Sequence, residues 1–374
     1  MSGRPMSIVV LGLSITSAWG NGHATTYRSL LRALARRGHE ITFLERDVPW
    51  YAANRDLPEP PFCRTFLYRD LEDLDRSYRH IVRQAELLIV GSFVPDGIEV
   101  GGWALARARG LTAFYDIDTP VTLAMLARGE ETYISTDLIP RFDLYLSFTG
   151  GPTLDRLERE FGARCARPLY CAVDPELHFP ATVRPEIDLG YLGTYSEDRQ
   201  GKLETLLLEP ARIWPEGVFA VAGPQYPEAI AWPANVARTP HLPPDRHRAF
   251  YCGQRFTLNL TRADMAAAGW APSVRLFEAA ACATPIISDP WLGLETLFRP
   301  AEEILIATTA DEVLAYLHHL PDDRRRALGQ AARARVLAAH TAGHRAAELE
   351  AWVDEARAAR ARVAVPLAWQ TGFR

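Results

Sequence analysis

Residues 273–295 read SVRLFEAAACATPIISDPWLGLE. Pro272 and Ser273 give a helix-start signature, and Arg275 and Glu278 follow three residues apart on one helix face. The helical pattern breaks at Thr284-Pro285 and gives way to the apolar pair Ile286-Ile287, which reads as a buried parallel strand. Asp289 and a glycine-containing loop ending at Glu295 then gather polar groups at one edge of a sheet, where open α/β folds bind ligands. A helix start at such an edge offers free N–H groups and the positive end of a dipole, with Arg275 as a charged partner. The guest this chemistry implies is a nucleotide diphosphate.

The same grammar opens the chain. Residues 7–15, SIVVLGLSI, are almost unbroken apolar, as a parallel strand covered on both faces must be. After the loop TSAWGNGHAT, Tyr27, Leu30, Leu31 and Leu34 recur at helical spacing opposite Arg28, Arg32 and Arg36. Gly38 closes that helix, and HEITFLE at 39–45 is the next strand. Gly20 and Gly22 are followed by Thr25 where a dinucleotide fingerprint needs its third glycine, so this turn is not that fingerprint. Further strands are expected at 62–68, 86–93, 111–118 and 143–150 with helices between them, a rhythm that implies a mostly parallel sheet. YDIDTP puts Asp116 and Asp118 at a strand's carboxyl end. Either is placed to accept a proton there, each raising the other's pKa; alternatively Asp118 simply caps the next helix.

Three prolines in PELHFPATVRP, at 175–185, mark a linker. Strands then restart at 188–194, 217–223 and 255–261, a helix runs from Asp198 to about Ile213, 261–270 reads as a loop, and 311–361 reads as helical. The chain divides into a first α/β domain at 1–178, a second at 179–345, and a terminal helix and tail at 346–374 that returns toward the first.

The glycine turn GNGH, the strand entry RGHE and the stretch quoted first resemble GT-B glycosyltransferases, and within them the group 1 or CgeB-like (spore-maturation protein) subgroup. The resemblance implies two Rossmann-like domains with parallel sheets facing across a cleft, and a C-terminal helix crossing back to the first domain. It implies that Gly22 lets the backbone approach the cleft, and that His23 faces it as general base or as ligand for donor phosphate or acceptor hydroxyl. An ordinary helix-start histidine is the alternative, and Asp116 and Asp118 compete for the base's role. Thr194, Arg199 and Arg275 are placed to hold the donor diphosphate, Glu278 to accept from the ribose hydroxyls, and Asp289, Gly293, Leu294 and Glu295 to touch the sugar. Eight residues before Glu278, where the common retaining enzymes carry a second glutamate, this chain has Trp270.

The implied reaction moves a hexose-type sugar from a nucleotide-diphosphate sugar to a hydroxyl of a saccharide, lipid, small molecule or protein, in a bacterial cytoplasm. It needs no metal and no cofactor beyond the donor. An epimerase or hydrolase on the same fold, or a non-catalytic nucleotide-sugar binder, is the alternative. A net charge of -5 gives no footprint for nucleic acid. The five cysteines are odd in number and never spaced CxxC, so neither a zinc motif nor a disulfide framework is expected. No run of apolar residues is long enough to span a membrane, which leaves peripheral contact open.

Overall fold

The computed structural model describes residues 4–364, and side chains as far as residue 362. The tail 365–374, expected to return with the terminal helix, lies outside the described residues. Seven strands build the first sheet: β1 (Ser7–Gly12), β2 (Glu40–Arg46), β3 (Arg64–Tyr68), β4 (Leu87–Gly91), β5 (Leu111–Asp116), β6 (Leu144–Ser147) and β7 (Ala166–Pro168). They are all parallel, in the order β3-β2-β1-β4-β5-β6-β7. Along β1 the side chains alternate: Ile8 and Val10 enter a core shared with the helix Gly22–Arg36, while Val9 and Leu11 enter the core on the other face. Both faces are therefore dry, which is why the strand reads as continuous apolar sequence. Each such buried aliphatic side chain contributes about 1.5–3 kcal/mol.

Six strands form the second sheet: β8 (Ile187–Leu192), β9 (Phe219–Ala222), β10 (Val236–Thr239), β11 (Gln254–Asn259), β12 (Ile286–Ser288) and β13 (Leu305–Ile306). They too are parallel, in the order β10-β9-β8-β11-β12-β13. Each sheet reverses its direction of winding once, between β1 and β4 and between β8 and β11. Loops leaving neighbouring strands there diverge to opposite faces and open a crevice.

The chain returns to its start. On the helix Ala342–Ala364, Ala346, Leu349, Val353 and Ala356 join the core that holds Tyr27, Leu31 and Leu34. Glu350 of that helix accepts from Nε and Nη2 of Arg37, each at 2.6 Å, and lies 2.8 Å from His39 Nε2. The fold is thus two Rossmann-like parallel-sheet domains facing across a cleft, with a C-terminal helix crossing back.

Local details depart from expectation. The region 311–361 is three helices, Ala310–His319, Asp322–Ala339 and Ala342–Ala364, separated at Leu320-Pro321 and His340-Thr341. Proline cannot continue a helix it interrupts, and its ring disfavours helical backbone at the residue before it. Residues 261–270 contain a short helix, Ala263–Ala268, and the two-residue β13 has no sequence signature.

Candidate functional site

Between the carboxyl edges of the two sheets lies a cavity of about 670 Å³. Its walls include the loops after β1, β4, β5 and β6 on one side and after β8, β9, β10 and β11 on the other, so the two crevices face one another. Two helix starts open into it: Asn21 caps Gly22–Arg36 by accepting from His23 N at 3.0 Å, and Ser273 caps Val274–Ala281 by accepting from Arg275 N at 3.4 Å. Both ends therefore present unsatisfied N–H groups and positive dipole to one space.

The loop carrying His23 is fixed from below. The Glu45 carboxylate, at the end of β2 and fully buried, accepts from Ser14 Oγ, Ile15 N, Thr16 N and Thr16 Oγ1 at 2.6–3.1 Å. Arg28 donates from both Nη atoms to Asp56 at 2.7 and 2.9 Å and from Nε to Ile15 O at 2.9 Å. These charge-assisted bonds set where the helix begins and hence where its histidine sits.

His23 Nε2 lies 3.5 Å from the Asp118 carboxylate, and both residues line the cavity. The Phe93 ring meets the imidazole edge-to-face at 5.3 Å between centroids. His23 Nδ1 is buried without a hydrogen-bond partner among the described residues. Burial works to raise the Asp118 pKa, but the neighbouring His23 and the charges of Arg262 and Arg199 outweigh it and hold the carboxyl below its ordinary value. An anion kept ionised beside an imidazole orients that ring and stabilises it once protonated.

Asp116, the third candidate for the base, does not reach the cavity. It is fully buried, outside the cavity wall, and accepts from Tyr145 Oη at 2.6 Å and Thr122 Oγ1 at 2.9 Å. Its job is to pin β5 to β6 and the following helix. Burial, with a smaller push from Asp118, raises its pKa from 3.8 to about 6 against those hydrogen bonds. A folded-state pKa above the unfolded value stabilises the protein below the unfolded pKa, and that stability is lost as pH rises from 3.8 to about 6. Asp116→Asn is accordingly expected to flatten the decline, narrowing the difference in unfolding free energy between pH 4 and pH 7 by up to about 3 kcal/mol. Urea unfolding at the two pH values measures it, and an unchanged difference rejects the assignment.

From the second domain, Gly193 and Thr194 follow β8 into the cavity wall, joined by Arg199, Arg262, Arg275 and Glu278. Arg199 Nη2 donates to Thr194 O at 2.6 Å and leaves its buried Nε without a partner among the described residues. Arg275 lies over the Tyr191 ring at 4.8 Å. It donates to Leu192 O from Nε and to Asn259 Oδ1 from Nη1 at 2.8 Å. Glu278 is 2 % exposed and accepts from Tyr251 Oη at 3.1 Å. Burial pushes its pKa up, yet His178, His247 and Tyr251 together bring it down to about 2.

The remaining donor residues are not brought to this space. The Asp289 carboxylate accepts from Lys202 Nζ at 2.6 Å and from Thr261 N and Oγ1 at 3.0 and 2.9 Å, so its charge is spent on the frame. Gly293 lies flat against the Trp270 ring, where an added Cβ would come within 2.6 Å, and the same holds for Gly151 from the first domain. Trp270 is therefore wedged between the two domains. Leu294 is buried in a core cluster, and Glu295 accepts from Gly293 N at 3.1 Å on the exposed side. None of Asp289, Gly293, Leu294 and Glu295 lines the cavity. Gln225, His241 and Leu242 do line it, and Trp19 touches His241 across the cleft at 4.3 Å between ring centroids.

Sequence reasoning missed Arg262, Tyr251, His247 and His178. No motif marks them; only the approach of the linker after β7 and the helix Pro244–Cys252 to Glu278 brings the last three together.

Comparisons with known proteins agree with this fold. Residues 199–351, most of the second domain, match the family described as "Glycosyl transferase-like". No curated protein matches the chain. Among solved structures, a sucrose-phosphate synthase from Thermosynechococcus elongatus superposes with a TM-score of 0.67 at 16% identity, covering 95% of this chain and 100% of that one. HepE from Anabaena, in complex with UDP and glucose, gives 0.70 at 11% identity over 94% and 100% of the two chains. An alpha-glucosyltransferase in complex with UDP-glucose and DNA containing an abasic site gives the same four figures, 0.70, 11%, 94% and 100%. The fold class is thereby set as GT-B, with residues 199–351 matching a glycosyl transferase-like family. Among the described residues no helix is long and apolar enough to cross a membrane.

Proposed function

We propose that the protein is a glycosyltransferase that moves a sugar from a nucleoside-diphosphate donor to a hydroxyl acceptor. One observation carries the reading: a single cavity receives two helix starts with Arg199 and Arg275 on its donor side and the His23–Asp118 pair on the other. A departing diphosphate needs counter-charge, which the arginines and helix ends supply. The acceptor hydroxyl must lose a proton as the glycosidic bond forms, and His23 Nε2, backed by an ionised carboxylate, is the group placed to take it. Glu278 is assigned to the ribose, and Gln225, His241 and Leu242 to the base. Because HepE and the alpha-glucosyltransferase were solved with uridine nucleotides, UDP-glucose is the first donor to try. The acceptor is any hydroxyl compound the open side of the cleft admits, and the CgeB-like subgroup and a cytoplasmic location belong to the same proposal.

The test measures release of nucleoside diphosphate with and without candidate acceptors. Release that depends on acceptor is the expected result. Release without acceptor makes the protein a hydrolase, and tight nucleotide binding without any release makes it a binder.

A further inference from the structure

Behind Glu278 three metal-ligating groups converge. His178, from the turn after β7, His247, from the helix Pro244–Cys252, and Glu278 each bring one ligand atom, and these atoms lie within 4.8 Å of one another. His178 Nε2 is 3.8 Å from Glu278 Oε1, and His247 Nδ1 is 3.5 Å from Glu278 Oε2, both too long for a hydrogen bond. His178 is 6% exposed, and neither of its ring nitrogens has a hydrogen-bond partner among the described residues. Glu278 Oε1 and His247 Nδ1 are in the same state. Leaving a buried polar group unsatisfied costs about 1–3 kcal/mol. Three buried side chains that each carry such an atom and bring one ligand atom apiece to the same place are better explained by a guest than by coincidence.

We infer that His178, His247 and Glu278 form a site for one divalent transition-metal ion, of which Zn²⁺ fits best. Two imidazoles and a carboxylate are a zinc ligand set, and three protein ligands leave a fourth position open. A small inward shift of the three side chains brings each ligand atom to the roughly 2.0–2.2 Å such bonds need. Tyr251 Oη on Glu278 Oε2 supplies the outer hydrogen bond that orients a ligating carboxylate. His247 and Glu278 line the cavity, so the open position faces it and takes an oxygen, from water or from a bound nucleotide. The donor set rests on the geometry alone and does not depend on the transferase reading, although its open position bears on that site.

Full-length protein is stripped with chelator and titrated with Zn²⁺ alone against a competing chelating dye, then with Co²⁺ alone while the visible spectrum is recorded. One Zn²⁺ per chain is expected, with binding weakened about 100-fold or more in His178→Ala and in His247→Ala. The Co²⁺ spectrum should carry the bands of a tetrahedral nitrogen and oxygen site. His178→Gln, which keeps a polar group of similar length, should lose the metal while keeping the wild-type thermal midpoint in chelator, separating loss of a ligand from loss of fold. Absence of stoichiometric binding, binding undiminished in both alanine variants, or a thiolate charge-transfer band that places the metal on cysteine overturns the site. Because no nucleotide is present, each of those results leaves the transferase reading standing.

Discussion

Replacing His23 with alanine is expected to lower kcat by about 10²–10⁴-fold while the affinity for nucleoside diphosphate stays within about threefold of wild type. The split follows from the site's layout. The cations proposed to hold the diphosphate, Arg199 and Arg275, line the cavity from the second domain, whereas His23 faces them from the first, with that domain's Asp118 at 3.5 Å. Removing the imidazole deletes the proton acceptor but not the arginines or the helix start at Ser273. Asp118→Asn should give a smaller loss, because the ring keeps its place against Phe93 while losing the anion that stabilises it once protonated. Steady-state kinetics and calorimetric titration with UDP read the two quantities separately. A His23→Ala protein that turns over normally, or one that loses nucleotide binding and turnover together, places the base elsewhere.

How much of this was legible in sequence depends on the distance over which each feature is encoded. The strands of both sheets announce themselves because doubly covered strands must be apolar at every position, as in SIVVLG, and the helix at Gly22 because its apolar residues recur at helical spacing. Strand edges are less legible: the run expected over 111–118 ends at Asp116, where the backbone turns into the next helix. Asp116 and Asp118 are indistinguishable on paper. A continuing strand would put residues two apart on one face; because β5 ends at Asp116, the turn after it sends Asp118 into the cavity and leaves Asp116 buried outside it. The Gly293 turn was expected to touch the sugar on the resemblance alone; what lies against its glycine is the indole of Trp270. His178 and His247 lie 100 and 31 residues before Glu278, a separation no local pattern reports.

Arg275→Ala is expected to weaken UDP binding by about 30–1,000-fold, the equivalent of roughly 2–4 kcal/mol for removing one side of a buried charge pair. Two of its three guanidinium nitrogens are committed, Nε to Leu192 O and Nη1 to Asn259 Oδ1, and the fork is held over Tyr191. What remains is Nη2, which lies beside Gly193 on the cavity wall, so close that a Cβ on that residue would be 2.9 Å away. The glycine therefore keeps open the one direction in which this cation reaches a guest. Arg275→Lys keeps the charge but cannot make the two framework bonds and reach outward at once, so it should recover only part of the affinity. Gly193→Ala tests the same geometry from the other side: its methyl group would also meet Tyr191 Oη at 2.6 Å, and the fork must shift to admit it. Both substitutions should reduce UDP affinity while binding of Zn²⁺ at His178 and His247 is unchanged. If Arg275→Lys binds UDP as weakly as the alanine variant and unfolds at the same lowered denaturant midpoint, the side chain holds β8 to the helix and does not touch the diphosphate.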